Sequence, residues 1–125
     1  PYRVLKIVIC PAQRSVLHQR ISQRFEAMLE AGFLTEVGQL MQRPGLDADC
    51  PSMRAVGYRQ AWNHLTGETN TETFRRQTLS ATTQLAKRQL TWLRAEPDTL
   101  WYDAINKSVI SLIFNEVRRF LESGA

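Results

Sequence analysis

The chain has 125 residues, 43% hydrophobic and 22% charged, with a formal net charge of +4. That size and balance describe a globular chain and exclude a disordered one. No apolar run approaches the ~20 residues of a bilayer span, and Cys10 and Cys50 lack both metal-ligand spacing and a disulfide-scaffold context.

With no charged-then-apolar leader at its start, the expectation is a cytoplasmic chain with reduced thiols. Taken in chain order, the continuous β-branched run Val4–Ile9 predicts a strand over about 3–9, covered on both faces as in parallel sheets. Pro11 ends it. Leu17, Ile21, Phe25 and Met28 form one helical stripe within a helix over about 13–31, and Gly32 is a left-handed stop. A second helix is predicted over 34–42, and residues 44–51 are read as a loop. Ser52 is read as the cap of a third helix over 53–66, with the stripe Tyr58, Ala61, Trp62 and Leu65.

The longest helix is predicted over 71–95. Phe74, Ala81, Leu85, Ala86, Leu90, Trp92 and Leu93 cover about half its circumference, which predicts substantial burial with Tyr58 and Trp92 in the core. A second strand is read over 99–103 (TLWYD) and a last helix over 107–122, capped by Asn106. The fold class is α/β and mostly helical, with about five helices and two short strands. Residues 1–125 are read as one part of a larger parallel sheet that begins before Pro1, because a doubly covered strand needs more neighbours than one.

Charge is unevenly spread. From Cys50 to Ala95 stand Arg54, Arg59, Arg75, Arg76, Lys87, Arg88 and Arg94 against only Glu68 and Glu72. Thirteen of the 16 basic residues are arginine, whose planar fork matches phosphate oxygens in pairs. Arg76, Lys87 and Arg94 project from nearly one azimuth of the long helix, and no acid stands between Thr73 and Ala95. That column suits a nucleic-acid backbone, with Gln89 and Thr91 adding neutral hydrogen bonds; a solvated charged face is the plainer alternative. Gly57 within a predicted helix implies a close approach of a ligand or of another backbone. Arg24 falls at the border of the first helix's apolar stripe, where a charge calls for an anion: an internal carboxylate or a substrate phosphate. His18 and His64 have no metal-binding context, and no catalytic triad or glycine-rich phosphate loop is present.

Two segments carry a family resemblance. Arg54–Gln60 (RAVGYRQ) and Ala86–Arg94 (AKRQLTWLR), preceded by Leu17–Gly32 and Glu36-Val37, resemble the later half of tRNA dimethylallyltransferases. The resemblance runs from about Val4 to Asp103. It implies the fold of P-loop kinases and transfer of a dimethylallyl group from dimethylallyl diphosphate to N6 of the adenosine on the 3′ side of the anticodon. It also implies Mg²⁺ in the intact enzyme. By that resemblance Arg24 contacts the diphosphate. Arg54, Ala55, Val56, Gly57, Tyr58 and Arg59, together with Lys87, Arg88, Gln89, Leu90, Thr91, Trp92, Leu93 and Arg94, match segments that touch the tRNA anticodon stem-loop. The family's P-loop, its proton-accepting aspartate and its Mg²⁺ ligands have no counterpart in this sequence, so the stretch is expected to be inactive alone. Two other readings remain: a stand-alone nucleic-acid-binding helical module, and an interaction domain that oligomerises through a strand edge.

Overall fold

A computed structural model describes residues 2–124. The elements are β1 (Lys6–Cys10), α1 (Arg14–Glu30), α2 (Phe33–Met41), α3 (Tyr58–Leu65), α4 (Thr71–Ala95), β2 (Thr99–Asp103) and α5 (Val109–Glu122). They divide into two compact units. One holds the residues up to Leu17 and from Arg88 onward; the other is His18–Lys87. Among the described residues no helix is long and apolar enough to cross a membrane.

In the first unit β1 and β2 pair in parallel, with Lys6 opposite Thr99 and Cys10 opposite Asp103. The Lys6 ammonium donates to Glu96 Oε2 at 2.7 Å beside the start of β2. At the other end Asp103 Oδ1 accepts the backbone N–H groups of Ala12 and Ile105, which fixes both chains as they leave the sheet. The strand predicted over 3–9 is shorter, and it is not covered on both faces by this chain. Val8 is buried, but Val4 and Ile9 are 69% and 56% exposed. The helix predicted over 107–122 begins at Val109. Asn106 does not cap it directly; its Oδ1 closes a turn by accepting from Ser108 N at 2.9 Å. The Arg3 guanidinium lies over the Phe120 ring at 4.4 Å and donates to Phe120 O and Ser123 Oγ.

The second unit builds its own core from Phe25, Phe33, Val37, Ala61 and Phe74. Phe25 meets Phe74 edge-on at 5.6 Å, and His64 stacks on the same Phe74 ring at 4.9 Å. The His64 role is therefore packing, with its Nδ1 held 2.9 Å from Thr69 O. Gly32 has φ 95°, so the predicted left-handed stop does separate α1 from α2.

The third helix departs from its predicted range of 53–66. Residues 51–57 form successive turns, and α3 starts only at Tyr58. Asp47 Oδ1 accepts the N–H groups of Asp49 and Cys50, which draws the preceding loop into a turn, and Met53 is buried beneath it. Ser52 therefore caps nothing. Gly57 is the residue before the helix, at φ 93° and ψ −55°, a conformation that side chains resist. Burial along α4 is also less than the half-circumference pattern predicts: only Phe74 and Thr78 are fully buried.

Candidate functional site

In the helical unit a cavity of about 250 Å³ is lined by Arg24, Val56, Gly57, Thr78 and Thr82, with Phe25 and Phe33 among its apolar walls. Four segments converge there: α1 carries Arg24 one position before the buried Phe25, α2 brings Phe33, the turn before α3 brings the Gly57 backbone, and α4 brings Thr78 and Thr82. The two threonine hydroxyls are engaged within α4, donating to Phe74 O and Thr78 O. Arg24 is exposed, and among the described residues no carboxylate pairs with it. Of the two anions weighed for Arg24, the internal carboxylate is absent. Glu26, two residues on, is engaged instead by Arg75.

Gly57 is buried, and a Cβ built there would stand 3.6 Å from Phe33 Cζ. Ordinary contact distance remains, so the glycine is required by its backbone angles and not by crowding. Its N–H donates to Gln60 Oε1 at 2.8 Å, and its carbonyl accepts the first helical bond from Ala61 N. This fixes the entry to α3. Tyr58 follows, edge-on to Phe33 at 5.3 Å, with its hydroxyl donating to Glu36 Oε1 at 2.5 Å. The hydrogen bond to Glu36, assisted by burial and the carboxylate charge, raises the Tyr58 phenol above its ordinary pKa. Tyr58 thus packs against the core as predicted. Its partner Glu36 was not legible as a partner, since 22 residues of chain separate them. Arg54 and Ala55 are exposed in the turns, Val56 is half-buried, and Arg59 is exposed on the first turn of α3.

Lys87 is the last residue of this unit and is exposed on α4. The remainder of AKRQLTWLR belongs to the strand-bearing unit. There Arg88, Gln89, Thr91 and Arg94 are exposed, and Leu90 and Leu93 are half-buried. Trp92 is 80% exposed, which corrects its predicted place in the core. A helical stripe is buried only where something faces it, and nothing in this unit covers that indole. Arg94 shares a cavity of about 290 Å³ with Arg14, Leu90, Trp101 and Asp103, where β1 and β2 end. The C-terminal ends of parallel strands are the usual ligand edge of α/β sheets, and neither Arg14 nor Asp103 was singled out from sequence. Among the described residues no group of three His, Cys, Asp or Glu side chains converges to hold a metal.

Residues 1–96 match the family model for IPP transferase. The chain is 48% identical over 118 residues to a tRNA dimethylallyltransferase of Coxiella burnetii, covering 94% of this chain and 39% of that protein. It is 55% identical over 108 residues to one of Xylella fastidiosa, covering 82% and 34%. The crystal structure of full-length tRNA isopentenylpyrophosphate transferase from Bacillus halodurans superposes with a TM-score of 0.87 at 31% identity, over 98% of this chain and 41% of that one. The chain thus spans about two fifths of the length of the relatives it matches. Its α/β architecture, five helices with one parallel strand pair, and its matched residues both lead to one assignment: this chain belongs to the IPP transferase family.

Proposed function

We propose that this chain forms part of a tRNA dimethylallyltransferase, supplying a diphosphate-contacting arginine and surfaces for the anticodon stem-loop. The single observation that carries the reading is Arg24: a guanidinium at the mouth of a cavity, without an internal carboxylate, in a chain that belongs to this family. In the proposed reaction the allylic C–O bond of dimethylallyl diphosphate breaks, a C–N bond forms to N6 of adenosine, and an N6 proton departs to a base outside this chain. The leaving diphosphate gains charge as that C–O bond lengthens. A guanidinium already in position stabilises the developing charge more than it stabilises the bound substrate, which is what accelerates a reaction. Arg24 has that role.

Arg54, Arg59, Lys87, Arg88 and Arg94 contact tRNA phosphates, and Gln89 and Thr91 add neutral contacts. The exposed Trp92 indole offers a flat face on which an unstacked base can rest. The target adenosine must leave the loop stack to reach the diphosphate, as in base flipping generally. Mg²⁺ accompanies the diphosphate in the family reading. Among the described residues no group of three His, Cys, Asp or Glu side chains gathers to hold it, and its ligands are assigned outside this chain.

Replacing Arg24 by alanine in the complete polypeptide tests the reading. Turnover of dimethylallyl diphosphate is expected to fall by at least about a hundredfold, the scale of losing one oxyanion-type donor, with little change in tRNA affinity. A variant that loses only tRNA binding rules out the diphosphate role. The 125-residue chain alone is expected to bind tRNA without transferring the prenyl group. Binding by the complete polypeptide without any transfer favours the nucleic-acid-binding module instead.

A further inference from the structure

The helical unit carries a second concave surface, separate from the Arg24 cavity. It is an open groove of about 440 Å³ between α3 and α4, lined by Arg59, Asn63, Arg76, Gln77, Ser80 and Gln84. Its lining contains no acid and only one aliphatic side chain, Ala81. The pattern follows from helix geometry. Arg76, Gln77, Ser80 and Gln84 recur at spacings of one, three and four, which gathers them on one face of α4; Arg59 and Asn63 stand four apart on α3. Among the described residues neither Arg59 nor Arg76 pairs with a carboxylate. Glu72, the acid one turn before Arg76, makes no ion pair with it. Arg75, next in sequence, is instead bound to Glu26, so two adjacent arginines of one helix have opposite fates.

A surface shaped only for solubility mixes both signs of charge and ties arginines to neighbouring acids. This groove instead collects guanidinium, amide and hydroxyl groups. These are the side chains that contact phosphate and sugar oxygens in nucleic-acid complexes, where they fix register without reading sequence. We propose that the α3–α4 groove is an additional contact surface for the RNA phosphodiester backbone, with Arg76 as its principal cation. This inference rests on the tRNA reading above and extends it from Arg59, already placed there, to Arg76, Gln77, Ser80 and Gln84, which lie outside RAVGYRQ and AKRQLTWLR. Along α4, Arg76 lies about 16 Å before Lys87 at 1.5 Å per residue, a span of several backbone phosphates. One strand of the stem therefore has room to meet both. Because its groups contact the backbone alone, the groove acts on RNA affinity irrespective of base sequence.

The test is Arg76→Gln in the complete polypeptide, with wild type and Lys87→Ala in parallel, read by tRNA binding across a salt series. Arg76 is exposed, so the substitution leaves the core untouched. Affinity for tRNA is expected to fall roughly three- to tenfold, and the slope of log affinity against log salt to flatten by about one unit. The fall should be equal for tRNAs of different sequence, and Arg76→Lys should recover most of the lost affinity. Unchanged affinity and slope in Arg76→Gln, beside a clear loss in Lys87→Ala, overturn the groove while leaving the tRNA reading intact. A loss confined to inorganic diphosphate binding, with RNA binding unaltered, overturns the RNA assignment. If wild type neither transfers the prenyl group nor binds tRNA, the broader functional reading fails before the groove does.

Discussion

The two units of this chain treat the same kind of apolar residue in opposite ways. In His18–Lys87 the aromatic and aliphatic side chains close on one another: Phe74 is 1% exposed, and Val37 and Ala61 are fully buried. In the strand-bearing unit, Trp92, Ile110, Phe114 and Leu121 are open, and among the described residues of that unit Val8, at 9% exposure, is the single buried hydrophobic. Helices satisfy their backbone internally and need only pack their stripes together. A two-stranded sheet has two open edges and two faces, and a single following helix cannot cover them. The first unit to hold its shape should therefore be the helical one, and the cavity with Arg24 is built there.

The comparison can be broken most directly by truncating one aromatic in each unit. Phe74→Ala is expected to destabilise this chain by about 3–5 kcal/mol, because a large side chain leaves a void in a closed core. Phe114→Ala removes a side chain that is 69% exposed, and its effect should stay within about 0.5 kcal/mol. Denaturant unfolding of both variants measures the pair; equal losses would show that Phe114 is as firmly packed as Phe74 and would remove the contrast.

A smaller effect should come from Gly57→Ala. The added methyl has room, but φ 93° with ψ −55° is forced on alanine at a cost of about 1–3 kcal/mol. Relief of that strain would shift the turn beside the Arg24 cavity, so diphosphate binding should weaken along with stability. If calorimetry finds stability unchanged, the backbone argument for this glycine is wrong.

A loss smaller than that of Gly57→Ala is expected at Tyr58→Phe, which removes the hydrogen bond to Glu36 and should cost about 0.5–1.5 kcal/mol near neutral pH. The sign of its pH dependence follows from the raised phenol pKa. The folded state holds that proton more tightly than the unfolded state does, so the contribution is present below about pH 10 and is lost as pH rises through the higher folded value. The difference in stability between wild type and Tyr58→Phe should therefore shrink at strongly alkaline pH. A difference that stays constant or grows would contradict the Tyr58–Glu36 bond.

Local chemistry determined much of this molecule before any packing. Five helices and two strands follow from apolar periodicity, Gly32 divides α1 from α2 because it tolerates a left-handed backbone, and arginine-rich RAVGYRQ and AKRQLTWLR mark the family. Periodicity is a property of residues near one another in the chain, so it is written in the sequence itself. Tertiary structure decided what depends on residues far apart. Only it shows that residues 51–57 are turns and not helix, that Tyr58 meets Glu36, and that Arg75 is held by Glu26 while Arg76 opens on a groove. It also decided that Trp92 stays exposed, since a stripe along a helix says which side is apolar and not whether another element lies against it.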